Sequence, residues 1–160
     1  MASGKLFFGM MFSDRNIYEK AVNDLINEFG GMEKESFEYN FDKFTSYYEK
    51  EMGKNLIKKI IIFKKEITEK DLIEIKKFIA EIEKKYSVKN KRKINIDPGY
   101  ISKDKVVLAS FKKKDFKKEL GGWIYAHEVL RFEKNKIITF FHTFPDFKNN
   151  KIQEFFFKAN

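Results

Sequence analysis

The sequence predicts an α+β domain built on a mainly antiparallel sheet, and three observations carry that reading. Two stretches have the apolar stripe of an amphipathic helix. Each is preceded by an apolar run of strand length. The C-terminal half is a succession of short strand-like segments parted by turn residues.

The first run, residues 6–12 (Leu-Phe-Phe-Gly-Met-Met-Phe), is apolar at every position but its glycine, as expected of a strand buried on both faces. It is too short to span a bilayer and lacks the flanks of a secretory signal, so no membrane element or export is expected. Ser13 can cap a helix whose stripe is Ile17, Tyr18, Ala21, Val22, Leu25, Ile26 and Phe29, with Gly30-Gly31 to end it. Residues 32–41 alternate loosely and read as one half-exposed strand. Residues 42–53 have no clean period and read as a loop with a helical turn.

Ile60-Ile61-Ile62-Phe63 marks a second buried strand, and Thr68-Glu69-Lys70-Asp71 approximates a capping box. Leu72, Ile75, Ile79, Ile82 and Tyr86 then form the stripe of a second helix. Residues 93–96 read as a short strand ended by a turn at Asp97-Pro98-Gly99. Residues 105–111 read as a strand and residues 112–122 as a basic connection. Residues 123–132 and 137–144 read as a hairpin about Lys134-Asn135, and residues 151–157 as a short terminal helix. The order β-α-β-β-α-β suggests a ferredoxin-like first half with both helices on one face.

The 160 residues are expected to form a single domain, residues 1–160, large enough to need no covalent staple. There is no cysteine, which excludes disulfides, thiolate metal sites and cysteine nucleophiles, and fits a cytoplasmic setting. The net charge is +9; of 33 basic residues three are arginine (Arg15, Arg92, Arg131), leaving 30 lysines. Lysine supplies point charges and no planar fork, so specific base readout is poorly provided for. No G-x-x-x-x-G-K-[ST] occurs, and no Gly-rich turn follows the first strand, so a P-loop or dinucleotide cradle is not expected.

The candidate site residues lie elsewhere. The only histidines are His127 and His142. A hairpin closing symmetrically about residues 134 and 135 would set them opposite one another, about 5 Å apart at Cβ, where two imidazoles could share a metal or a proton or simply stack. Glu49 and Glu51 sit in an irregular tyrosine-rich stretch, while Asp97 and Asp146 each adjoin a proline. Carboxylates in such places can act as acid and base or hold Mg²⁺; they also serve ordinary turn chemistry. The basic runs at residues 89–93 and 112–118 could meet phosphates.

Several segments together resemble a known family, domain of unknown function 4416, whose members are often called GTP-binding proteins. They are Lys5-Leu6-Phe7-Phe8-Gly9 with Ser13; Phe44-Thr45-x-Tyr47-Tyr48-Glu49-x-Glu51-Met52-Gly53; and Asn95-Ile96-Asp97-Pro98-Gly99-Tyr100. Further on come Lys105-Val106-Val107-Leu108-Ala109-Ser110 with Lys113, Ile124-Tyr125-Ala126, and Thr143-Phe144-Pro145-Asp146-Phe147. The resemblance implies no established reaction or cofactor. It points to Tyr48, Glu49, Glu51, Asp97, Tyr100, Ser110, Lys113 and Asp146 as polar positions of the site, and to neither histidine.

The expected function is binding of, or action on, a small anionic ligand where residues 47–53, residues 97–100 and Asp146 approach. The alternative is a nucleic-acid-associated or adaptor domain using a basic lysine face.

Overall fold

The computed structural model describes residues 2–159. Its first half runs β1 (Ser3–Phe12), α1 (Arg15–Phe29), β2 (Met32–Glu35), β3 (Tyr39–Asn40), α2 (Glu49–Met52), β4 (Ile57–Thr68) and α3 (Leu72–Lys85). The second half runs β5 (Ile94–Ile101), β6 (Lys105–Ser110), β7 (Lys118–Gly121), β8 (Ile124–Glu133), β9 (Lys136–Ile138) and α4 (Asn150–Lys158). Short 3₁₀ turns occupy Phe41–Lys43, Glu69–Asp71 and Pro145–Lys148.

The strands form one sheet in the order β2-β4-β1-β5-β6-β8-β7, with β3 beside β4 and β9 beside β8. Every pairing is antiparallel. Helix α1 carries the chain from β1 over β4 to β2, and α3 carries it from β4 over β1 to β5. These are two interleaved split β-α-β units, the ferredoxin-like arrangement the element order suggested.

The sheet is covered on both faces, which explains the unbroken apolar run in β1. Leu6, Phe8, Met10 and Phe12 face the stripes of α1 and α3, where Leu25, Ile75 and Ile79 are buried. Phe7 faces the other way, among Ile60, Ile62, Phe147, Ile152 and Phe156 under α4. Its ring meets that of Phe156 edge-on at 5.2 Å.

Local chemistry sets the helix ends. Asp14, one residue past the expected Ser13, caps α1 by accepting from the backbone N–H groups of Asn16 and Ile17. Gly30 (φ 94°) ends it. The Thr68–Asp71 capping box is formed.

Three sequence expectations are corrected. The stretch read as one strand over residues 32–41 is two short strands: at Ser36, whose own N–H still donates to the Ile60 carbonyl at 2.8 Å, the side-chain Oγ replaces the backbone carbonyl in accepting from the Ile60 N–H, and regular pairing with β4 resumes at Tyr39. The basic connection over residues 112–122 contains strand β7. Most consequential for the site, Asp97-Pro98-Gly99 is not a turn: β5 runs straight through it, with Asp97 opposite Gly9, Pro98 opposite Phe8 and Gly99 opposite Phe7. Strand β6 pairs with β5 only from Gly99 onward, so the stretch before it is laddered on one side alone, where proline's missing N–H is tolerated.

Candidate functional site

The site is made by a failure of pairing. β5 and β6 are joined at Gly99–Leu108, Tyr100–Val107 and Ile101–Val106, and then separate. Gly99 permits the junction: a Cβ there would lie 2.1 Å from the Val107 carbonyl oxygen and 2.9 Å from the Phe7 ring. Where the strands part, Asn95 and Asp97 on one side and Ala109 and Ser110 on the other line a cleft of about 470 Å³. The segment around Tyr47 and Tyr48, the turn at Pro145–Lys148 and His127 of β8 close its remaining walls.

One wall is a buried ion pair. Lys58 of β4 reaches Asp146 Oδ2 with its Nζ at 2.8 Å, and the Tyr39 hydroxyl donates to the same oxygen at 2.7 Å. The Lys58 ammonium also lies 5.1 Å from the Phe41 ring centre and 5.0 Å from that of Phe147, which offsets part of its lost hydration. Glycine at position 9 gives Lys58 its path, since a Cβ there would sit 3.3 Å from Lys58 Cε. Burial first, then the Asp146 charge, pushes the Tyr39 hydroxyl far above its ordinary pKa, so it is a neutral donor. Asp146 Oδ1 is buried and has no partner.

A second wall is a chain of charge-assisted bonds. Arg92 grips Glu51 through Nε at 2.8 Å and Nη2 at 2.9 Å, and donates through Nη1 to Asn95 Oδ1 at 2.7 Å. Asn95 Nδ2 in turn donates to Asp97 Oδ2 at 3.2 Å. The Arg92 bond holds Glu51 below the usual carboxylate range. Glu83, which accepts from the Ile96 backbone N–H at 2.8 Å, is shifted the other way, chiefly by burial. The Tyr48 hydroxyl is raised by burial and then by Asp97.

Another part of the cleft's rim is cationic. Lys117 Nζ donates to Ser110 Oγ at 3.0 Å and to the Lys112 carbonyl at 3.2 Å, and Lys112 Nζ donates to the Tyr47 hydroxyl at 3.2 Å. These partners are neutral oxygens; among the described residues neither lysine is paired with a carboxylate. Burial and the neighbouring charges of Lys112, Lys114 and Lys76 lower the Lys117 ammonium below its ordinary value.

His127 lies beside this rim. Its ring centre is 5.3 Å from that of Phe116, 5.2 Å from Phe144 and 5.2 Å from His142. Both its nitrogens are buried and neither has a hydrogen bond of good geometry, though the backbone of His142 is near enough to favour the charged ring; burial, then Lys117, outweighs it and depresses the imidazole to about 4. The imidazoles therefore do come close, but not as a cross-strand pair: β9 ends at Ile138, and the chain then makes a turn in which the Thr143 N–H donates to the Phe140 carbonyl at 3.1 Å. His142 is stacked between Phe116 (4.2 Å) and Phe140 (4.9 Å), with Nε2 donating to the Glu128 carbonyl at 3.1 Å. Among the described residues no three His, Asp or Glu side chains gather as a metal set.

Of the residues expected at a site, Tyr48, Asp97, Ser110 and Asp146 line this one cleft. Glu51 is joined to it through Arg92. Glu49 instead pairs with Lys54, at 3.5 Å. Lys113 is exposed outside the cleft, its place taken by Lys112 and Lys117. Tyr100 faces the α1–α3 core, where its hydroxyl donates to buried Glu69. Sequence reasoning missed Tyr39, Lys58, Arg92 and Asn95. The sequence marks Lys58 only as one of two lysines leading into the apolar run Ile60–Phe63, and Arg92 as one of three arginines among 33 basic residues.

The family model described as Domain of unknown function (DUF4416) matches residues 2–160, and the chain belongs to that family. Comparison with curated proteins gives no match, and neither does comparison with solved structures.

Proposed function

We propose that this member of the DUF4416 family binds a small anionic ligand, in the cytoplasm, within the cleft between β5 and β6. One observation carries the reading: Lys112 and Lys117 both line the rim with neutral oxygens and aromatic rings as neighbours and, among the described residues, no carboxylate partner. Like charges held together in a concave, partly dry place raise each other's energy, and an arriving anion relieves that repulsion. Lysine acts on phosphate as a point charge, so a phosphoryl group suits this rim. The cleft volume falls in the range of small-molecule sites, about 300–1,000 Å³.

The reading is tested by a thermal-shift screen of phosphorylated metabolites, nucleotides and dicarboxylates. A ligand at 100 times its dissociation constant stabilises by about 2.7 kcal/mol. Phosphorylated compounds are expected to raise the Tm of the parent protein and to leave a Lys112→Met/Lys117→Met variant unmoved. A shift of the same size in both proteins would contradict the reading.

A second reading, a nucleic-acid-associated or adaptor surface, is favoured by aromatics beside the basic segment. Tyr47 is 69% exposed, Phe111 50% and Phe141 86%. Bases stack on such rings while lysines meet the backbone. Saturable, salt-sensitive binding of single-stranded oligonucleotides, lost in Phe141→Ala, would favour this reading over the first.

A further inference from the structure

The cleft holds two kinds of unanswered group, and they lie on different walls. On the rim are the ammonium groups of Lys112 and Lys117, bonded to neutral oxygens and, among the described residues, to no carboxylate. On the far wall are two carboxylates in different states. Asp146 spends both its donors, Lys58 and Tyr39, on Oδ2, and leaves Oδ1 buried with nothing to accept from. Asp97 accepts only from the neutral amide of Asn95 among the described residues. The two carboxylates share a neighbourhood, since the charges of both raise the hydroxyls of Tyr39 and Tyr48. Lys58 offsets one of the two negative charges and leaves the other.

A simple anion would satisfy the rim and leave this wall worse off. Resting on the anion-binding reading above, we propose that the ligand is zwitterionic, an anionic group carried with an amino group, the anion at Lys112, Lys117 and Ser110 and the amine donating to Asp146 Oδ1. An ammonium group brings up to three N–H donors and no acceptor. It thus completes the empty position on Asp146 and answers the remaining charge of Asp97. His127, whose neutral ring is 2% exposed with no hydrogen bond at either nitrogen, lines the same cleft and offers one donor and one acceptor to the body of the ligand. Buried polar groups without partners are rare in folded proteins, and two of them lining one cleft mark where a polar ligand completes the structure.

The test is calorimetric titration with ω-aminoalkyl phosphates of two to six carbons, each compared with the alkyl phosphate of equal length. At the length that spans the cleft, the amino compound is expected to bind at least tenfold more tightly than its amine-free counterpart. That preference is expected to shrink in Asp146→Asn, and in Asp97→Asn, whose half-exposed site carries less folding risk. Binding of both series with equal affinity at every length would overturn the inference and leave the anion-binding reading standing. An amine preference unchanged in both variants would overturn it too. Failure of both series to bind would overturn both readings.

Discussion

Asp146 Oδ2 and Lys58 Nζ lie 2.8 Å apart in an ion pair whose side chains are 0% and 3% exposed. The pair joins β4 of the ferredoxin-like half to the turn before the C-terminal helix, residues 88 apart in the chain. Such a pair adds little over an apolar substitute, but breaking it leaves a charge with nowhere to go. Lys58→Met is therefore expected to cost about 3–5 kcal/mol in urea unfolding. Lys58→Met/Asp146→Leu, which leaves neither charge, is expected to recover much of that loss. A double variant as unstable as the sum of its single variants would contradict this account of the pair.

Gly99→Ala is expected to destabilise by about 3 kcal/mol, the upper end of overpacking costs, since the new methyl group meets the Val107 backbone at 2.1 Å, which cannot turn away, and the buried Phe7 ring at 2.9 Å. Urea unfolding measures it. A loss below about 1 kcal/mol would mean that the β5–β6 junction slides easily.

Ile79, 1% exposed in α3, anchors that helix to the sheet. Ile79→Ala is expected to cost about 2–5 kcal/mol by the same measurement, with an unchanged m-value.

How far these features could be read in advance depends on their range. The stripe ending in Phe29 and the stripe through Ile79 are local patterns of 3.6 period, and each forms the helix expected of it. Asp97-Pro98-Gly99 reads as a turn because its residues are typical of turns, while its role is decided by its pairing with β1, some 90 residues earlier, and by the close approach of Val107. For the histidines, the turn chemistry of Lys134-Asn135 correctly set the start of the hairpin. What brings His142 to His127 afterwards is stacking on Phe116 and Phe140, not the ladder. Lys58 and Tyr39 were invisible as site residues because a buried lysine is disfavoured until its partner, 88 residues away, is known.

His127 gives the protein an acid sensitivity of definite sign. In the unfolded chain the imidazole takes its proton near 6.5, in the folded chain only near about 4. Between those values the unfolded state binds more protons, so stability falls as pH drops through that window and is unaffected by this group above it. The full loss is up to about 3 kcal/mol from the size of the shift. Urea unfolding of the parent and of His127→Phe from pH 7.5 to pH 4 is expected to show the difference between them changing by that amount, in favour of the variant at low pH. A constant difference would mean that the folded protein takes up the proton as readily as the unfolded chain.

The central claim is that the rim of the β5–β6 cleft is an anion site, and calorimetric titration with pyrophosphate measures it most directly. One saturable site per chain is expected in the parent protein, weakened at least tenfold in Lys112→Met/Lys117→Met and left within a factor of two in Lys134→Met/Lys136→Met. The latter pair changes the same number of charges at the β8–β9 turn, so it separates a local site from the general attraction of a chain of net charge +9. Equal weakening in both double variants, or no saturable binding in the parent protein, would contradict it.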